Sequence, residues 1–377
     1  MTLFSSCGDN VGKQPPKTNL FVTTNAGSLY AFDITQDKLL WEKTVHDTKL
    51  DELTYFSFYK DEVVKSFLNA KIAGFDRHSG KLKWTYQDTV SEDQRYYDYD
   101  LSDVRFVHFY QNPTIYQDAM IFANSHGEIK SIDIPTQKEN WNYQTGVPLF
   151  SAPQILGTHV FANIGYRLVK LDAGSGKELA RYDLVEGSQF AVKVAEHRLY
   201  MLTEAGSVIC LDENLEPIWT FHTQETDLHL KQNLLINGSQ ILIGSNKLLS
   251  IDLVSGQLNW KLDLEQPHVL HNPQVPTREE NAQTEIGAIV AMEDGYAFNT
   301  QTHIVTVDHK GSILHKYKWF DSEALLSMTY QDGCYYIVTR SGKLYKLDRD
   351  FKNHKMLKQN VNFVFGDGLE DIYFGFY

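Results

Sequence analysis

The sequence predicts an all-β protein, a single eight-bladed β-propeller of four-stranded antiparallel blades whose ring is closed by both chain ends. Three observations carry this. An alternating apolar stretch ending in Asp recurs eight times. The Asp-to-Asp steps are 43, 57, 39, 40, 40, 56 and 40 residues. β-branched and aromatic residues alternate through the units, and no segment carries a sustained helical stripe. A period near 40 filled with short strands is the signature of a propeller blade.

The units run in order as Ser28 to Asp33, Lys71 to Asp76, Glu128 to Asp133, Arg167 to Asp172, Ser207 to Asp212, Lys247 to Asp252, His303 to Asp308 and Lys343 to Asp348. Five continue into a strand that carries Trp: Trp41, Trp84, Trp141, Trp219 and Trp260. Unit 8 displays all four strands: Leu325 to Tyr330, Cys334 to Thr339, Lys343 to Asp348, and the residues around Met356. A four-stranded sheet cannot bury both its faces alone. Packed around an axis, each sheet covers its neighbour. The repeated Trp then reads as a wedge between adjacent sheets, since a large aromatic supplies the most buried area per residue.

The repeated Asp reads as structural. At the end of a third strand its carboxylate accepts backbone N–H bonds from the following turn. Gly80, Gly176, Gly256 and Gly311 fall in that turn, where positive φ is expected. A metal or acid–base site occurs once in a protein, whereas Asp33, Asp76, Asp133, Asp172, Asp212, Asp252, Asp308 and Asp348 recur in every unit. Asn19 to Trp41 looks like the second, third and fourth strands of a blade that lacks its first. The tail, Val361 to Phe365 and then Asp371 to Tyr377, offers a first strand plus one more. A blade shared by both ends removes the open seam and its sheet edges. The surplus strand either displaces Phe21–Thr24 or adds an edge.

The blocks Gly27-Ser-Leu-Tyr-Ala-Phe-Asp33 with Trp41, Gly74-Phe-Asp76 with Gly80 and Trp84, and Ile251-Asp252 with Gly256 and Trp260 resemble the PQQ-type propeller repeat. The resemblance spans residues 19 to 377 and implies an eight-bladed propeller of the quinoprotein-dehydrogenase superfamily. Units 4, 7 and 8 lack the Trp, and units 1, 3, 5 and 8 lack the turn Gly. The enzymes of that superfamily place two adjacent cysteines against the quinone and hold a calcium ion. Here Cys7, Cys210 and Cys334 are nowhere adjacent. Length and unit count look like the non-catalytic branch that includes the outer-membrane assembly lipoprotein BamB. What that branch implies is a protein-binding scaffold of the periplasm with no cofactor.

Composition narrows the partners. The net charge of −13 argues against nucleic acid, whose binding requires neutralising phosphates. An acidic surface suits basic partners. No stretch approaches the length of a membrane-spanning helix. Residues 1–18 read as a polar leader. Leu3 to Asp9 resembles the end of a bacterial lipoprotein signal in which Cys7 is acylated, although the apolar core of a signal peptide is absent. The alternative is a leader with an incidental Cys. Membrane contact is expected only through such an anchor, and the propeller is expected to be monomeric. Cys210 and Cys334 fall in strands of different units and are expected as buried free thiols.

Two intervals are about sixteen residues longer than the rest. The first excess, between Gln87 and Val104, carries Tyr96, Tyr97, Asp98, Tyr99 and Asp100. The second, around Glu265 to Glu285, carries His268, His271 and Arg278. With Gly287 to Glu293 as the next strand, both are inter-blade loops. They then leave one face of the disk and oppose each other across the axis. With His271 to Val275 as that strand, the second moves to the other face. Long loops on rigid scaffolds carry binding function, and Tyr anchors interfaces; a solvated acidic loop is the plain alternative. His268 and His271 lack the partners of a metal site, and His222 and His229 are weaker still. Phosphate loops, zincin motifs and nucleophile elbows are absent from the sequence. The expected function is a non-enzymatic partner-binding scaffold in outer-membrane β-barrel protein assembly. A PQQ or sugar oxidoreductase and a periplasmic immunity protein that neutralises a toxin are the rivals.

Overall fold

The computed structural model describes residues 19–24, 26–44, 55–67, 70–88, 111–149, 151–223, 234–244, 246–264, 286–320, 323–361 and 372–377. The leader 1–18, including Cys7, lies outside them.

The strands form eight four-stranded antiparallel sheets, the blades of a propeller. We number blades by their Asp, from blade 1 at Asp33 to blade 8 at Asp348. Seven are runs of consecutive strands, such as blade 2 with Phe56–Tyr59, Glu62–Ser66, Lys71–Asp76 and Leu82–Gln87. Blade 1 is composite. Asn19–Thr24, Ser28–Asp33 and Lys38–Thr44 are completed by Ile372–Phe376, which pairs with Asn19–Thr24 and sets Phe374 opposite Val22. The tail therefore takes the vacant first-strand place, and Phe21–Thr24 keep theirs.

First strands lie beside one another from blade to blade, as Thr114–Tyr116 lies beside Phe56–Tyr59 and Gln154–Leu156, so they form the hub. Second and third strands are buried almost throughout, and fourth strands alternate outward. Eight apolar clusters result, each shared by two neighbouring blades. The molecule thus has one core per seam, which is how blades too small to fold alone become stable together.

All eight Asp carboxylates accept N–H bonds from the turn that follows. Asp76 Oδ1 accepts from Ser79 N at 2.8 Å and from Ser79 Oγ at 2.7 Å; Asp308 Oδ1 accepts from Lys310 N and Ser312 N, both at 2.8 Å. The same arrangement holds at Asp33, Asp133, Asp172, Asp212, Asp252 and Asp348. The Ser79 and Ser175 hydroxyls and turn amides hold the Asp76 and Asp172 carboxyls below the ordinary carboxylate range.

Trp41, Trp141, Trp219 and Trp260 each lie on a turn glycine of the next blade. A Cβ added at Gly80, Gly176, Gly256 or Gly311 would come within 2.5–2.7 Å of the ring. Three of the four donate Nε1–H across the seam, to Arg77 O, Ala173 O and His309 O at 2.8–2.9 Å. The glycines have positive φ, but so do Asp37, Gln137, Leu215 and Phe351 at the same turn position in other blades. The lack of a Cβ, more than backbone freedom, is what each indole needs.

Missing pieces are matched across seams. Blades 4, 7 and 8 lack the Trp, and it is the blades after them, 5, 8 and 1, that lack the Gly. There the turn residue fills the gap: Leu215 is buried, Phe351 stacks on Tyr317 at 4.7 Å, and Asp37 pairs with Lys346 and Lys355. Lys346 Nζ and Lys170 Nζ take over the Trp hydrogen bond, reaching Ile34 O and Glu213 O at 2.8 Å. One seam breaks the rule. Trp84 faces Gln137 of blade 3, and its ring lies instead against Gly74 of its own blade, where a Cβ would come within 2.3 Å. Its Nε1 donates to Glu62 Oε2 at 2.6 Å.

Candidate partner-binding face

Turns between strands one and two, and three and four, share one face of the disk. Turns between two and three, and the crossings to the next blade, share the other. The first insertion leaves from Leu82–Gln87, the fourth strand of blade 2, and returns at Thr114–Tyr116, the first strand of blade 3. The second leaves from Leu258–Asp263 and returns at Ile289–Met292, the first strand of blade 7. Both are inter-blade crossings rooted on the crossing face, at opposed seams. The alignment with His271 to Val275 as a first strand does not hold, because Ile289–Met292 takes that place. Tyr96, Tyr97, Asp98, Tyr99, Asp100, His268, His271 and Arg278 all lie outside the described residues, as does His229.

The root of the first insertion is a buried charge cluster. Asp88, the last described residue before it, is 4% exposed. Lys130 Nζ lies 2.8 Å from Asp88 Oδ1 and 3.0 Å from Glu128 Oε2. Asn124 Nδ2 donates to Asp88 Oδ2 and to Glu128 Oε2, and Asn142 and Gln144 donate to Glu128 Oε1. Burial works against the Glu128 charge, but these donors overcome it and hold its carboxyl down at about 2. A buried ion pair tolerates its desolvation only with such further bonds. Blade 2 is thereby tied to blade 3 where the acidic, tyrosine-bearing segment departs.

Blade 4 adds a ledge to the same face. Gly165–Asp172 and Glu178–Ser188 have 8 and 11 residues, longer than their counterparts in the other blades. The end of Glu178–Ser188 leans over blade 5. Glu186 accepts from Thr203 Oγ1 at 2.6 Å, Gly187 O accepts from Glu204 N at 2.9 Å, and Leu184 is buried in the seam. Val185 and Tyr166 are left 96% and 67% exposed. Sequence spacing carries no trace of this ledge, because unit 4 keeps the ordinary period.

The hub holds a residue that the sequence reading passed over. Ser57, Thr114, Gln154 and Lys193 occupy one register position in blades 2 to 5. Ser57 Oγ and Thr114 Oγ1 donate to the carbonyls of Pro113 and Pro153 in the next blade. Lys193 makes no hydrogen bond or ion pair among the described residues, and burial alone pulls its ammonium down to about 8. Its chemical signal was a lysine within a short apolar strand.

Cys210 is buried and Cys334 half-buried; both are free thiols, and burial raises both. Among the described residues no group of three His, Cys, Asp or Glu has metal-site geometry. His222 Nδ1 lies 3.3 Å from Ser207 Oγ.

A closed ring of eight blades, each with the turn Asp and five with the Trp, defines the class: a PQQ-repeat β-propeller. The sequence matches the family described as outer membrane protein assembly factor BamB over residues 15–152 and 125–350, and the chain belongs to that family. BamB from Moraxella catarrhalis has a similar structure, with a TM-score of 0.63 at 15% identity over 87% of this chain and 90% of that one. Dihydro-heme d1 dehydrogenase NirN gives 0.67 at 11% identity over 95% of this chain and 76% of its own. Quinohemoprotein alcohol dehydrogenase ADHIIG from Pseudomonas putida HK5 gives 0.65 at 10% over 86% and 68%. At such identities these structures share the fold. No curated protein matches the sequence.

Proposed function

We propose that this protein is a non-enzymatic scaffold of the bacterial periplasm that binds a protein partner during outer-membrane β-barrel assembly. Membership of the BamB family carries the reading. The crossing face supports it. The roots of two long insertions and the Tyr166–Val185 ledge share that face, and loops on a rigid scaffold carry binding function. The partner surface it suits is basic, given the acidic first insertion and the net charge of −13. In this reading Cys7 is acylated and residues 8–18 tether a monomeric ring to the outer membrane.

Pull-down from native membranes tests it. Recovery of an outer-membrane barrel component is expected, and its consistent absence counts against the assembly role. The same protein, supplied with PQQ and calcium, should bind no chromophore and reduce no dye. Turnover with an alcohol or sugar would favour the oxidoreductase reading instead.

A further inference from the structure

The seam between blades 2 and 3 contains a cleft of about 260 Å³, lined by Tyr59, Lys60, Glu62, Trp84, Ile134, Pro135 and Gln137. It lies on the turn face, opposite the insertions. Its origin is the misfit described above. Elsewhere an indole covers the turn, or the turn residue fills the gap itself. Here Trp84 has withdrawn to Gly74 and Gln137 is exposed, so neither fills it.

The other seams indicate what fits. In three of them an indole N–H from the preceding blade donates to the carbonyl of the residue after the Asp. In blade 3 that residue is Ile134, and its carbonyl receives no donor among the described residues. The Trp84 N–H that would serve it goes to Glu62. Charge is already balanced: Glu62 Oε1 pairs with Lys83 at 2.7 Å, and Lys60 pairs with Asp118 at 2.8 Å. The cleft therefore offers two aromatic walls, a proline ring and an unserved acceptor, with no unpaired charge.

We infer that this cleft is a binding site for a neutral aromatic side chain bearing a hydrogen-bond donor, an indole or phenol presented by a partner protein. A cleft this small and this open suits one side chain better than a whole cofactor, whose pockets run from roughly 300 to 1,000 Å³. A buried aromatic anchor in a small pocket is the usual form of an interface hot spot. The chain's own leader does not supply it, since residues 1–18 hold no Trp or Tyr. The strands that flank the first insertion root it on the opposite face.

The test uses whole protein labelled with ¹⁵N at its six indoles. N-acetyl-tryptophanamide is titrated while the Trp84 N–H resonance is followed. A saturable shift confined to Trp84 is expected, with N-acetyl-phenylalaninamide, which lacks the donor, at least threefold weaker. Gln137→Gly should let Trp84 dock on blade 3 as the other four do, weakening binding at least tenfold and leaving the other five resonances in place. Ile313→Ala, exposed on the fourth strand of blade 7 and distant from the cleft, should change nothing. No saturable shift in the natural protein overturns the site, whatever the variants do. Equal binding of the phenylalanine amide overturns the role of the Ile134 carbonyl. Undiminished binding to a folded Gln137→Gly protein overturns the seam origin of the cleft.

Discussion

The seam between blades 1 and 2 and the seam between blades 2 and 3 solve one packing problem in opposite ways. In the first, Trp41 is 8% exposed, lies on Gly80 and donates to Arg77 O. Its strength comes from apolar area and shape. In the second, Trp84 has tilted back from the turn of blade 3 onto Gly74, and a tie is added on the other face, through Asp88, Lys130 and Glu128. To its apolar core it adds a desolvated charge network whose lone pairs are nearly all used. An indole staple is indifferent to pH and forgiving of its neighbours' polarity. A charge staple is conditional on protonation and complete hydrogen bonding.

Breaking each staple in turn should expose the difference. Trp41→Ala leaves a cavity in a closed seam and should cost about 3–5 kcal/mol. Trp84→Ala removes a half-buried ring from an already open seam and should cost about 1–2 kcal/mol. Urea unfolding of the two variants compares them, and equal costs would mean that Trp84 closes its seam after all.

Acid separates them next. The Glu128 carboxyl titrates at about 2 in the fold against an ordinary 4.5. A lowered folded value means its contribution is full above about 4.5 and is lost as the pH falls toward 2. Over those 2.5 units it amounts to about 3 kcal/mol. Glu128→Gln should lose this at pH 7 and show a flatter profile between pH 4.5 and 2. Thermal unfolding across that range decides, and parallel profiles would refute the charge staple.

A third variant leaves both seams alone. Lys193 is lowered to about 8 from 10.5 by burial. A depressed lysine costs stability while it is charged in the fold, below about 8, and the cost fades as the pH rises to 10.5. Lys193→Met should therefore stabilise the ring at pH 7 by about 1–3 kcal/mol, with the gain vanishing near pH 10.5. An unchanged melting temperature at pH 7 would mean that the ammonium has found water or an anion in the hub.

Blade number, ring closure and the turn role of the Asp were legible because each depends on a local pattern repeated at a fixed interval. The apparent degeneracy of the Trp and Gly positions was legible too, but only on comparing each unit with the next: Ala180 with Leu215, His315 with Phe351. Trp84 and Gln137 then stand out as the single pair in which a Trp meets a turn residue other than Gly. The Asp88–Lys130 tie was not legible, because its partners are 42 residues apart in an interval that the insertion obscures. Lys193 reads as a hub residue only once strand register is known. The insertions were visible from spacing, and their shared face follows from the flanking strands.

The composite blade has a consequence for biosynthesis. Ile372–Phe376 completes a sheet begun by Asn19–Thr24, so the circle stays open until the chain has been made as far as Phe376. A nascent chain therefore spends its synthesis as an arc with two sticky rims, exposed to strand donation from any neighbour. The rims stay open until that latch is made, and a stop codon before Ile372 would leave an arc in place of a wheel.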